Sequence, residues 1–152
     1  MVIVKGQVTR TRLAVVLDDT PAARAVIVTA LRNAGFDVLE AATGEEALAL
    51  ARSYAPDLIV ANPLIAGMDS DEFALGLSVD PVISKSAIVF SAAAGDQRDV
   101  WCLAEGCNVS HILITPCDPE DVVRFIGEIL GPEPDAGSVV PLPGRPAPVD
   151  PA

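Results

Sequence analysis

The chain has 152 residues, a formal charge of −11 at neutral pH, 51% hydrophobic residues and only 4% aromatic ones. That length suits a single domain able to bury a core without staples, and the acidic balance argues against direct binding to nucleic acid, whose affinity rests on Lys and Arg displacing counterions. The apolar runs are far shorter than the ~20 residues of a membrane span, and MVIVKGQVTRTR has no long apolar region of a secretory signal, so no membrane association and a cytoplasmic location are expected. A core made of Ala, Val, Ile and Leu suits a parallel sheet buried on both faces. Cys102, Cys107 and Cys117 are odd in number and lack CxxC spacing, which reads as reduced packing residues.

Residues 1–11 form an N-terminal extension in which VIV can supply a short extra strand. Leu13–Leu17 is an apolar run of strand length that stops at Asp18 and Asp19. Thr20 and Pro21 then provide an N-cap and an N1 proline. Ala23, Ile27, Leu31 and Ala34 recur at helical spacing, Arg24 and Arg32 point away, and Gly35 is the stop. Residues 36–40 alternate as an edge strand does. Thr43 and Glu46 make a T-x-x-E capping box for a second helix that turns Ala47, Leu50 and Tyr54 inward.

Leu58–Ala61 is a third strand leading to Asn62 and the PLIAGMD loop. Asp69 caps a short helix around Phe73 and Leu77, and residues 78–86 connect to a fourth strand over 87–90 that ends at Ser91. A helix over 96–105 turns Val100 and Leu103 inward. A fifth strand over 112–114 ends at Thr115 and Pro116, and Asp118 with Pro119 opens a last helix whose buried stripe is Val122, Phe125, Ile126 and Ile129. Strands alternating with helices imply one doubly wound parallel sheet over residues 12–130. Residues 131–152 hold seven of the thirteen prolines without helical periodicity, so they read as an extended, disordered tail.

If the strands are parallel, their carboxyl ends bring together Asp18, Asp19, Asn62, Ser91 and Thr115, where an α/β fold collects its chemistry. VVLDDTPAAR, the loop from Asn62 to Met68 with its GMD, the FSA around Ser91 and the TP of Thr115 and Pro116 together resemble the receiver domain of two-component response regulators. The resemblance implies a flavodoxin-like fold with strand order 2-1-3-4-5. It also implies an acid pair (Asp18, Asp19) that holds Mg²⁺ with a strand-three aspartate, which takes a phosphoryl group from a histidine kinase. A strand-four hydroxyl (Ser91) and a strand-five lysine would contact that group. The partners implied are a histidine kinase or an output protein, with a homodimer as an alternative, and no enzymatic activity of its own.

Two positions depart from that pattern. Asn62 stands where the phosphoacceptor aspartate belongs, and a carboxamide has no anionic oxygen with which to attack phosphorus. Thr115 stands at the lysine position and carries no charge. Ile112 replaces the usual aromatic three residues earlier. The expectation is therefore a pseudo-receiver: a phosphorylation-independent interaction module with Asn62 as the degenerate acceptor, Asp18, Asp19, Ser91, Thr115 and Pro116 as the remnant pocket, and no cofactor beyond weak residual Mg²⁺ at Asp18 and Asp19. Its interaction face would include Trp101, Ile112 and Phe125.

Asp57 lies five residues before Asn62, on the order of 16 Å away along an extended strand, and cannot replace the missing acid. Asp69 is read as a helix cap, lone His111 as structural, and Thr115-Pro116 as a cis bond. The alternatives are a working acceptor through deamidation of Asn62 or another residue, and a small-molecule or redox-sensing flavodoxin-like domain. Against the latter, DDTPA offers two carboxylates in place of a glycine-rich phosphate loop.

Overall fold

The computed structural model describes residues 2–4, 7–9, 11–107, 109, 111–131 and 140–141. Near the start, β1 (Val2–Val4) and β2 (Gln7–Thr9) pair antiparallel. The apolar runs then form β3 (Leu13–Leu17), β4 (Asp37–Ala41), β5 (Leu58–Ala61), β6 (Ala87–Ala93) and β7 (His111–Thr115). These five lie in the order β4-β3-β5-β6-β7, every neighbouring pair parallel. Numbered within that sheet the order is 2-1-3-4-5, as expected. A further strand, β8 (Val140–Pro141), pairs with β2, so the VIV extension becomes part of a small three-stranded sheet. The rest of the proline-rich stretch expected to be disordered lies outside the described residues.

Five helices join the strands: α1 (Pro21–Asn33), α2 (Gly44–Tyr54), α3 (Ser70–Val79), α4 (Gln97–Glu105) and α5 (Pro119–Leu130). Alternation along each strand divides the core into two layers. Val15, Leu17, Ile59, Ala61, Phe90 and Ala92 pack beneath α2, α3 and α4. Ala14, Val16, Leu58, Val60, Val89 and Leu113 pack beneath α1 and α5. Strand β5 is buried throughout and β3 from Ala14 onward, on both faces, which is why their sequences are unbroken apolar runs.

Several local expectations need correction. Thr20 and Asp118 occupy N-cap positions, but neither side chain makes the capping hydrogen bond; at each site Pro at N1 already sets the entry angle and removes one donor. Tyr54 is exposed, because α2 ends there and Gly44, Ala47 and Ala51 form its buried stripe. The connection after α3 is shorter than expected, since α3 continues to Val79 and a 3₁₀ turn covers Ile83–Lys85. Strand β6 runs on through Ser91 to Ala93, because β7 supplies ladder partners up to Thr115. The Thr43 and Asp69 caps do form, accepting from Glu46 N at 3.2 Å and Glu72 N at 3.0 Å.

Candidate functional site

Strand register builds the site. Leu17, Ala61 and Phe90 lie level across β3, β5 and β6, and the ladder continues through Asn62 N to Leu17 O at 2.9 Å. The next residue on each strand turns to the opposite face. Asp18, Asn62 and Ser91 therefore stand side by side on the layer covered by α1 and α5. Thr115 follows two residues after Leu113, which is level with Ser91, and so faces the same way.

The acid pair is divided. Asp18 is 3% exposed while Asp19 points to solvent. Asp18 Oδ1 accepts from Thr20 N at 2.9 Å, an Asx turn that leads the chain into α1. Burial pushes the Asp18 carboxyl above its ordinary value; the Thr20 hydrogen bond opposes this, the Asp19 charge adds to it, and a hydrogen bond from the Asn62 side chain and the charge of Arg24 oppose it. Arg24 does not point away as expected. Its guanidinium donates to the Asp18 carbonyl oxygen and pairs with Glu40 at 3.2 Å. The available signal was its place in the first turn of α1, beside the strand ends.

Asn62 is half-buried and turns its carboxamide oxygen to the loop. Oδ1 accepts from Leu64 N at 2.9 Å, which starts the loop toward α3, and the amide side faces Asp18. Ser70 Oγ donates to Pro63 O at 2.7 Å and Gly67 takes a positive φ of 80°, closing that loop. Thr115 Oγ1 donates to Ala92 O at 3.3 Å, and the Thr115-Pro116 bond is cis. Ser91 Oγ is buried with no hydrogen-bond partner among the described residues. An unpaired buried hydroxyl costs about 1–3 kcal/mol.

The oxygen donors at these strand ends are the carboxylates of Asp18 and Asp19 and the carboxamide of Asn62. Magnesium demands several oxygens in near-octahedral geometry. Here one acid is buried, one is outside, and the amide oxygen already accepts from the loop. No group of three or more His, Cys, Asp or Glu that could hold a metal occurs among the described residues.

The raised Asp18 carboxyl carries a sign for stability. The folded state binds this proton more tightly than the unfolded chain does, so the ionised group opposes folding once the pH exceeds the unfolded value near 3.8. Asp18→Asn, which imitates the protonated acid, is expected to raise the thermal midpoint at neutral pH. It should also flatten the loss of stability that the wild type shows as pH rises from about 4. Calorimetry over that range checks both.

The other positions singled out are separate from this pocket. Asp57 sits at the opposite end of β5, where Oδ2 accepts from Leu13 N at 2.9 Å. His111 packs edge-on against Phe125 at 6.1 Å. Trp101 is 46% exposed on α4, whereas Ile112 and Phe125 pack partly into opposite core layers. Ile114 on the edge strand β7, which sequence reasoning passed over, is 37% exposed. All three cysteines are free, and burial pushes the Cys107 and Cys117 thiols up, away from reactive thiolate.

The sequence pattern of the response regulator receiver domain matches residues 14–126. This chain belongs to that family. Receiver domains are signalling modules of two-component systems that interact with kinases and output proteins. Protein PilH of Pseudomonas aeruginosa is 25% identical over 116 residues, covering 76% of this chain and 94% of PilH. The DNA-binding response regulator MtrA of Mycolicibacterium smegmatis is 28% identical over 111 residues, covering 73% of this chain; the chain spans only 47% of MtrA. Among solved structures, the receiver fold is shared with the chemotaxis response regulator CheY4 of Vibrio cholerae, at 21% identity and a TM-score of 0.71 over 80% of this chain and all of that one. A response regulator from Chloroflexus aurantiacus matches at 24% identity and a TM-score of 0.72, over 81% of this chain and all of that one. No helix among the described residues is long and apolar enough to cross a membrane.

Proposed function

We propose that this receiver domain does not accept phosphate and acts as a phosphorylation-independent interaction module in two-component signalling, inside the cytoplasm and without Mg²⁺. The observation that carries the reading is Asn62. Its neutral carboxamide stands at the acceptor position, where Oδ1 accepts from Leu64 N and the side chain brings no negative charge to Asp18. A neutral donor beside Asp18 and the charge of Arg24 offset part of the burial that pushes this carboxyl up. Thr115 adds to this, since its hydroxyl is spent on Ala92 O and it brings no charge to a phosphoryl oxygen.

The unused hydroxyl of Ser91 is the feature that favours conventional phosphoacceptance. It does not supply a nucleophile, because a hydroxyl needs an adjacent base to be activated and Asp18 is engaged with Thr20 and Asn62. The partner we propose is a histidine kinase or an output protein, or a second copy of the chain. By family analogy it would be met on the surface around Trp101, Ile112 and Phe125. Beryllofluoride with Mg²⁺ imitates a bound phosphoryl group. Adding it should leave the amide NMR spectrum and the Trp101 emission unchanged; shifts centred on Asn62 and Ser91 would overturn the proposal.

A further inference from the structure

Next to the remnant pocket, the loop after Asn62 and the start of α2 enclose a groove of about 570 Å³. Its floor is apolar: Ile65 and Phe73 are buried core residues, and Leu48 and Met68 pack against the same layer. Met68 lies across Gly44, where a Cβ would collide with its sulfur. The missing side chain at Gly44 thus lets the thioether seat in the floor, and methionine is a side chain that adapts to varied apolar contacts.

The rim is entirely acidic among its charged members: Asp19, Glu45, Asp69 and Glu72. None of the four is in an ion pair among the described residues, although Arg24, Arg32, Arg52 and Arg124 all pair with acids elsewhere. A concave apolar floor ringed by carboxylates that have no ion-pair partner among the described residues, on a chain of net charge −11, is complementary to one kind of surface. We infer that this groove docks a peptide segment of a protein partner that carries apolar side chains flanked by Lys or Arg. The inference rests on the interaction-module reading and names a second surface, away from α4, β7 and α5. Asn62 shapes the groove, since its bond to Leu64 N sets the loop that carries Ile65 and Met68; here it acts as a positioning residue.

The test uses the full chain and a short fluorescein-labelled peptide of alternating Leu and Arg. The peptide should bind and shift the amides of Leu48, Met68 and Glu72. Peptides of alternating Gly and Arg, or Leu and Glu, should bind at least about tenfold more weakly. Glu45→Lys with Glu72→Lys should weaken binding about tenfold or more, while Glu120→Lys with Glu128→Lys on α5, the same change in net charge, should alter it less than about twofold. If the first pair disturbs folding by circular dichroism, Glu45→Gln with Glu72→Gln carries the test and should weaken binding by roughly half that factor on a logarithmic scale. Equal binding of the Gly and Arg peptide, shifts centred elsewhere, or indifference to the groove substitutions would overturn the inference. Phosphorylation of the wild type would instead overturn the interaction-module reading and leave these binding results standing.

Discussion

Asn62→Asp is expected to destabilise the domain by about 2–4 kcal/mol at neutral pH in the absence of divalent cations, because it strips a buried charge of its partner and puts a like charge beside it. The substitution keeps one role of Asn62, since a carboxylate still accepts from Leu64 N. It reverses the other. The side chain that donates toward Asp18 becomes an anion facing an acid only 3% exposed, with Asp19 adjoining. Among the described residues Arg24 is the cation acting on Asp18, and it is shared with Glu40. Adding Mg²⁺ should recover the variant, because a ligand held only by the folded state stabilises by about 2.7 kcal/mol at a hundredfold excess over its Kd. The wild type should show no such response. Urea unfolding with and without Mg²⁺ measures all four values, and a variant as stable as wild type in the presence of chelator would contradict the role assigned to Asn62.

Phe90→Ala is the second large effect, expected at about 3–5 kcal/mol. Phe90 is fully buried on β6, with β5 and β7 as its neighbours, and is the largest of the fully buried side chains. Its layer is otherwise largely aliphatic, built on Leu17, Ile59, Ala61 and Val100, so small neighbours cannot close over the cavity. For a domain whose total stability is typically 5–15 kcal/mol, that loss is a large fraction of the whole. A midpoint shift in urea at constant slope would measure it; a cost below about 1 kcal/mol would mean that Phe90 is not at the centre of the core.

The fold could be read from the chain because its inner strands are unbroken apolar runs bounded by turn formers, as at Leu13–Leu17 and Leu58–Ala61. The strand ends followed from them, and with them Asp18, Asn62, Ser91 and Thr115. What escaped was set by tertiary contacts. Strand β6 continues past Ser91 because its partner is β7, some twenty residues later, and no local pattern announces that. Arg24 was placed on the polar side of α1 by periodicity, yet the helix begins so close to the sheet that its first turn reaches Asp18. The division of the acid pair was legible in retrospect, since alternation puts Asp18 on the buried face of Val16 and Asp19 on the other. The groove was not legible, because Gly44 and Met68 are distant in sequence and meet only when α2 and the loop after β5 are in place.

The proposed function joins a receiver fold to an acceptor position held by Asn62 and a lysine position held by Thr115. Intact-mass measurement after incubation with acetyl phosphate and Mg²⁺ tests it most directly, on the wild type beside Asn62→Asp/Thr115→Lys. The expected result is an unchanged mass for the wild type and a phosphoryl adduct on the double variant, located at position 62. An adduct on the wild-type chain would contradict it.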